Sequence, residues 1–178
     1  MFFRYNNGVM NILARTMKVS DISFRSVWRN PFHFIACGFG IGTLPMMPGT
    51  FGTAFGVMVY LLMAQLSLTI YLIITLLLVL AGIYLCGKVN RDFGTEDHPA
   101  AVWDEIASFP IVMIAIPRHW YFVLMGFVLF RFFDIRKPWP IRWLDQHIHG
   151  GVGVMLDDVV AALFSWAILF VMTLLLGY

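Results

Sequence analysis

The fold of this chain is decided by residues 30–87, which read NPFHFIACGFGIGTLPMMPGTFGTAFGVMVYLLMAQLSLTIYLIITLLLVLAGIYLCG and contain no Asp, Glu, Lys or Arg. A helix needs about 17–25 mostly apolar residues to cross a bilayer. Two runs of roughly that length lie in or beside this stretch, and three more follow it. The five runs are 51–67, 69–87, 100–117, 119–136 and 154–177. The sequence therefore predicts an all-α, polytopic membrane bundle with about five transmembrane helices.

The composition of the whole chain agrees with this class. Hydrophobic residues make up 60% and charged residues 12% of the 178 residues, whereas charged residues are about 25% of an ordinary soluble domain. The length suits one compact domain. No feature indicates a nucleic-acid partner or an oligomeric state, and anionic membrane lipids are expected partners of so apolar a chain.

Two segments precede the first predicted span. Residues 1–29 are predicted to be a basic juxtamembrane segment that lies on anionic headgroups, and residues 30–178 a single membrane-embedded domain. Residues 32–47 are apolar but contain several Gly and Pro residues. That pattern favours a short re-entrant or interfacial hairpin over a straight span.

The basic residues predict the orientation. With the N-terminus inside, residues 88–99 and 137–153 are cytoplasmic, and Arg118 is the only one of the twelve basic residues on the far side. This asymmetry satisfies the positive-inside rule. We therefore expect the polar chemistry at the cytoplasmic interface.

Nine of the ten acidic residues lie between Asp92 and Asp158, and five of them lie about one turn inside predicted spans. The five are Asp104, Glu105, Asp134, Asp157 and Asp158. At about 1.5 Å rise per residue, their carboxylates form one layer roughly 5 Å inside the helix ends. Carboxylates near hydrocarbon are costly and are usually functional, so this layer is the candidate site.

Five unpaired carboxylates in one layer repel each other and require cations. Arg131 shares a helix face with Asp134, but one guanidinium cannot neutralise five acids. An all-oxygen ligand set suits Mg²⁺. Zn²⁺ is a weaker candidate, because His98, His147 and His149 lack zinc-ligand spacing.

Basic groups beside this layer indicate a phosphate substrate, with Arg131, Lys137 and Arg142 as candidate ligands. Lys137 and Arg142 could equally bind lipid headgroups without specificity. Gly49 and Thr50 precede the first span, where helix N-terminal N–H groups could cradle an anion. The alternative is that Gly49 is only part of a turn and Thr50 only a helix cap.

Several stretches in the same order resemble one known family. They are Asn30-Pro31, Gly42-Thr43-Leu44-Pro45 through Pro48-Gly49-Thr50, Asp92 to Glu105, Phe130-Arg131 through Asp134, Lys137 to Trp143, His149-Gly150-Gly151 and Asp157-Asp158. Together they resemble the phosphatidylglycerophosphatase A family over nearly everything from about Asn30. The resemblance implies Mg²⁺-dependent hydrolysis of phosphatidylglycerol phosphate to phosphatidylglycerol and phosphate, in the bacterial inner (cytoplasmic) membrane.

The sequence then predicts roles for the candidate residues. One or two Mg²⁺ ions bind the five layer carboxylates and the terminal phosphate, and Arg131 stabilises the phosphate oxygens. Asp92, Asp97 and His98 supply the general base or acid.

Two alternatives stay open. The first is a phosphatase for another lipid phosphate, such as phosphatidic acid. The second is a cation transporter, which is less favoured because residues 51–87 and 159–178 offer almost no polar path to the far side.

Overall fold

The computed structural model describes residues 27–178, and every regular element among them is helical. The seven α-helices are α1 Pro31–Ala36, α2 Pro48–Met63, α3 Leu68–Phe93, α4 Trp103–Val112, α5 Trp120–Arg136, α6 Ile141–His147 and α7 Gly150–Leu175. A 3-10 turn, Ile41–Thr43, joins α1 to α2, and residues 27–29 are also helical. The prediction of an all-α fold is confirmed for the described residues. The predicted basic segment 1–29 lies almost wholly outside them.

The two longest helices, α3 and α7, pack against each other. They approach closely at Gly87 and Gly151, where a Cβ on Gly151 would overlap the Ile83 carbonyl oxygen. Gly94 ends α3 in the left-handed conformation, and its N–H donates to the Asn90 carbonyl, as helix-ending glycines commonly do.

Helix α4 lies at the centre of the bundle and contacts α2, α3, α5 and α7. Eight of its ten residues are buried. Pro110 lies inside its last turn, and the Pro110 carbonyl accepts a 2.6 Å hydrogen bond from the Tyr71 hydroxyl. The carbonyl of Ile114, just beyond the helix, accepts a 2.9 Å bond from Trp166 Nε1. Neighbouring helices therefore donate hydrogen bonds to carbonyls at and just beyond the end of α4.

The segment before α2 folds over the start of α4. Asn30 caps α1 by accepting the Phe32 N–H at 3.0 Å, and the Ala36 carbonyl accepts the Val102 N–H at 3.0 Å. Gly42 packs so tightly on Ala100 that a Cβ would overlap the Ala100 carbonyl. The predicted hairpin at 32–47 is therefore a short helix and a 3-10 turn packed on the segment that leads into α4.

Two of the helices, α3 and α7, are long enough and apolar enough to cross a membrane. They correspond to the predicted spans 69–87 and 154–177. The predicted span 100–117 corresponds to α4, which is only about 15 Å long against a hydrocarbon core of about 30 Å. Pro110 and Pro117 interrupt that run, because proline cannot donate the helical hydrogen bond. The structure thus does not confirm a count of five spans.

Candidate functional site

Two predicted site residues, Asp104 and Glu105, lie in the first turn of α4. Trp103 fixes this turn by donating from Nε1 to the Leu78 carbonyl at 3.1 Å. Asp104 is buried, and the Glu105 side chain is only 13% exposed. A helix N-terminus favours negative charge, so the backbone gives both carboxylates a partial counter-charge inside the bundle.

Two more predicted residues, Asp157 and Asp158, project from α7 and are also buried. Helix α7 begins at Gly150, four residues before the predicted start of the fifth span. Asp157 therefore lies about 10 Å along its helix, roughly two turns in rather than the predicted one. The close approach at Gly151 sets α7 against α3, and α7 also contacts α4.

Three of the acids converge. One carboxylate oxygen from each of Asp104, Glu105 and Asp158 lies within 4.8 Å of the other two. Asp104 Oδ1, Glu105 Oε2 and Asp158 Oδ2 are buried and have no hydrogen-bond partner among the described residues. Buried carboxylates without donors carry a large desolvation cost unless a cation joins them. The donor set is all oxygen, so these residues fit a hard divalent cation. We refer to them as the carboxylate triad.

Arg131 lies beside the triad on α5. Its guanidinium Nη1 donates to Asp134, one turn along the same helix, and lies 3.6 Å from Glu105 Oε1. A 3.5 Å bond from Nη1 to the Thr53 hydroxyl connects it to α2. Arg131 Nε is buried without a partner among the described residues. The predicted pair of Arg131 and Asp134 is therefore present, while Asp134 itself lies outside the triad.

The start of α2 touches the same groups. A Cβ on Gly49 would overlap Glu105 Oε1 and lie 3.1 Å from both terminal nitrogens of Arg131. Thr50 is not the helix cap that the sequence predicted, because α2 begins at Pro48 with Met47 as its N-cap. Proline suits the first helical position, since it has no N–H to satisfy and its φ is already helical.

Lys137 connects a second group of acids. Its ammonium donates to Asp145 at 2.6 Å and also to Asp157. Burial disfavours the charged lysine, but these bonds outweigh burial and hold the pKa of Lys137 above its ordinary value. Asp97 and Asp157 line an adjacent cavity of about 150 Å³. Asp157 thus has an internal cation for one oxygen, while its Oδ1 has no partner among the described residues.

Asp92 is paired elsewhere. Its Oδ2 accepts from His33 Nε2 at 2.7 Å and from Lys88 Nζ at 2.9 Å. Sequence reasoning missed His33, because the two residues are 59 positions apart and no periodic pattern connects them. The contact between Lys88 and Asp92 could have been predicted from their spacing, because residues four apart lie on the same face of a helix.

His98 is buried in a fixed orientation. Its Nδ1 accepts the Ala100 N–H at 3.2 Å, and its own N–H donates to the Asn90 side chain at 3.1 Å. Its Nε2 has no partner among the described residues. Burial, and secondarily the charge of His33, lower the pKa of His98.

Arg142 is exposed on α6, and no hydrogen bond or ion pair within residues 27–178 connects its side chain to the other candidates. The structure therefore brings together the triad, Arg131, Asp134 and Gly49. It places Lys137, Asp157 and Asp97 in a neighbouring group, and Asp92, His98 and Arg142 outside both.

Comparisons with known proteins give consistent matches. Residues 34–173 match the family described as PgpA: Phosphatidylglycerophosphatase A. The chain is 41% identical over 162 residues to the phosphatidylglycerophosphatase A of Escherichia coli (strain K12), covering 90% of this chain and 93% of that protein.

A second relative is the phosphatidylglycerophosphatase A of Haemophilus influenzae, 45% identical over 143 residues, with 79% of this chain and 88% of that protein covered. A putative phosphatidylinositol-3-phosphatase of Bacteroides thetaiotaomicron is 36% identical over 151 residues, with 80% and 94% covered. No solved structure matches the chain.

Proposed function

The chain belongs to the phosphatidylglycerophosphatase A family of phosphatases, and we propose that it hydrolyses phosphatidylglycerol phosphate to phosphatidylglycerol and phosphate with Mg²⁺ at the carboxylate triad. The observation that carries the proposal is the convergence of Asp104, Glu105 and Asp158 within 4.8 Å, with three unpartnered oxygens, beside the Arg131 guanidinium.

The metal would be bound by the triad. Mg²⁺ in proteins is usually bound by one or two carboxylates together with water and substrate phosphate, and three free carboxylate oxygens satisfy that need. When bound, the ion neutralises phosphate charge and lowers the pKa of an attacking water. Asp134 and Asp157 support the site through Arg131 and Lys137, and Asp157 Oδ1 remains available for a second ion.

In this proposal, Arg131 binds the terminal phosphate of the substrate. Asp134 and Thr53 orient its guanidinium, and its planar donors match phosphate oxygens. Gly49 leaves the space next to that guanidinium without a side chain, so backbone at the start of α2 can approach the same phosphate. In this proposal Gly49, Thr50 and Arg131 form the phosphate cradle, and Lys137 and Arg142 contribute positive charge near its edge.

Proton transfer is assigned by position. Asp97 lines the cavity that it shares with Asp157, so it is the best placed of the three predicted acid–base residues. Asp92 is already paired with His33 and Lys88. The Nδ1 of His98 already accepts a backbone N–H, which leaves the unpartnered Nε2 to carry the proton of the neutral ring.

The outer faces of the helices support a membrane setting. Besides the two long apolar helices, α5 exposes Leu124, Val128 and Phe132 at a spacing of four residues, which is one face of a helix. Helix α2 likewise exposes Leu61 and Leu62. We propose that α2 and α5 also contact lipid, that α4 completes the predicted set of five from inside the bundle, and that the site faces the cytoplasm of a bacterial inner membrane.

The test is a panel of lipid phosphates assayed with purified protein. Phosphatidylglycerol phosphate, phosphatidic acid and phosphatidylinositol 3-phosphate are compared with Mg²⁺, with EDTA, and with Mg²⁺ added back. We expect the fastest phosphate release from phosphatidylglycerol phosphate, its loss in EDTA and its recovery with Mg²⁺. Release that EDTA does not affect would overturn the metal assignment, and a preference for phosphatidic acid would overturn the substrate assignment.

A further inference from the structure

An exposed apolar segment lies between the 3-10 turn and α2. Leu44, Met46 and Met47 are 42%, 72% and 63% exposed, and this part of the chain carries no charged residue. We call these three side chains the apolar rim. Most other exposed apolar side chains of the described residues lie on helix faces, whereas these three lie in the non-helical segment that leads to Gly49.

The rim is attached to the catalytic part of the bundle. Gly42 lies directly on the Ala100 carbonyl, and a Cβ on Gly38 would lie 2.9 Å from Ile106 and 3.0 Å from Val102. Ala100 and Val102 lead into α4, and Ile106 lies two residues after Asp104 on the same helix. The rim lies between Gly42 and Gly49, and close contacts at both glycines hold the two ends of this segment near the carboxylate triad.

The rim is also continuous with the phosphate cradle. Met47 is the N-cap of α2, and two residues later Gly49 contacts Glu105 and Arg131. Met46 and Met47 are therefore the exposed apolar side chains next to the cradle along the chain, where the rest of a lipid bound by its terminal phosphate can contact them. Glu105 and Arg131, which contact the start of α2, are largely buried, whereas the apolar side chains just before the helix are exposed.

Backbone chemistry sets the depth of the rim. The N–H groups of Met46 and Met47 make no hydrogen bond to the described residues, and Pro45 and Pro48 have none to offer. Free backbone N–H groups do not occur in the hydrocarbon core. The rim backbone thus belongs at the interface, where water and headgroups can bind it.

Resting on the proposed function, we infer that the apolar rim binds the acyl chains of the substrate next to its headgroup and so selects lipid phosphates over water-soluble phosphate monoesters. Methionine suits this contact, because its flexible thioether adapts to chains of different shape. The occupant is the same lipid molecule whose phosphate lies at Arg131.

The experiment compares two substrates with one headgroup. One is long-chain phosphatidylglycerol phosphate in mixed micelles, and the other is a water-soluble analogue with very short acyl chains. The full chain is assayed as wild type, as the Met46→Gln/Met47→Gln double variant, and as Leu176→Gln. Leu176 is an exposed apolar residue at the C-terminal end of α7, far along that helix from the triad, and serves as the matched control.

We expect the double variant to raise KM for the long-chain lipid by roughly tenfold, with kcat unchanged and with unchanged kinetics on the water-soluble analogue. Leu176→Gln should leave KM and kcat unchanged for both substrates. An unchanged long-chain KM, or an equal rise for both substrates, would overturn the acyl-chain role while leaving the proposed function intact. If the wild type releases phosphate from neither substrate, the proposed function is overturned and this inference with it.

Discussion

The backbone of Gly49 lies so close to Glu105 that a Cβ atom at residue 49 would overlap the Oε1 atom of the carboxylate. The first turn of α2 and the first turn of α4 thus meet at the carboxylate triad. No side chain at residue 49 fits between the two turns, and the Arg131 guanidinium borders the same contact.

The first prediction uses this contact. Gly49→Val should displace Glu105 and Arg131, and so raise KM and lower kcat together, because both the metal ligand and the phosphate ligand move. Thr50→Val, one residue along, keeps the backbone and should raise KM alone if Thr50 is part of the cradle. Kinetics and melting temperature of both variants are the measurement. A lower melting temperature with unchanged kinetics would reduce Gly49 to a packing residue.

The second prediction concerns the triad. Asp104→Asn and Asp158→Asn should lower kcat by more than roughly 10- to 100-fold, which is the usual cost of losing a residue that only hydrogen-bonds to a metal ligand. Here a direct ligand is removed. The fold should persist, since a neutral amide relieves repulsion among buried carboxylates. Phosphate release and circular dichroism on the purified variants are the measurements, and near-normal turnover in either variant would contradict the metal assignment.

The third prediction is a binding measurement without substrate. Mg²⁺ should raise the melting temperature of the wild type, because a ligand that binds only the folded state stabilises it by about 2.7 kcal/mol at a hundredfold excess over Kd. Asp158→Asn should lose most of this stabilisation, and Asp145→Asn, outside the triad, should keep it. Equal stabilisation of all three proteins would indicate nonspecific binding to the surface.

The fourth prediction separates charge from geometry at Arg131. Arg131→Lys keeps the positive charge but loses the planar donors, so kcat should fall while Mg²⁺ stabilisation is retained. The readout is kcat alongside the Mg²⁺ thermal shift. Full activity in the lysine variant would show that charge alone is required.

The fifth prediction concerns Asp92. If this residue acts through its bond to His33, Asp92→Asn and His33→Gln should each cost about 1 kcal/mol of stability and be non-additive when combined. The sequence instead predicted an acid–base role for Asp92, which would lower kcat by about a hundredfold or more. Unfolding and turnover measurements on the two single variants and the double variant discriminate between these outcomes.

Part of the site could be predicted from sequence because helix position controls depth. Counting residues from the ends of apolar runs predicts Asp104, Glu105 and Asp158 in one layer, and the structure brings their oxygens together. The depth along α7 differs from the prediction, because that helix begins at Gly150. The i, i+3 pair of Arg131 and Asp134 was predictable for the same reason.

The rest depended on contacts between distant segments. The length of the apolar run does not indicate that α4 is short, because hydropathy does not register that Pro110 and Pro117 cannot donate helical hydrogen bonds. The pairing of Lys137 with Asp157, and of His33 with Asp92, depends on how loops fold over helices. Hydropathy and spacing carry no information on such loop geometry.

Helix α4 has protein on nearly every side, and Tyr71 and Trp166 donate hydrogen bonds to carbonyls at and just beyond its C-terminal end. In the proposed membrane setting, the surrounding helices thus separate the carboxylate triad from the acyl chains of bulk lipid. A change of bilayer thickness or detergent is then expected to affect how substrate reaches the protein, without changing the geometry of the carboxylate triad.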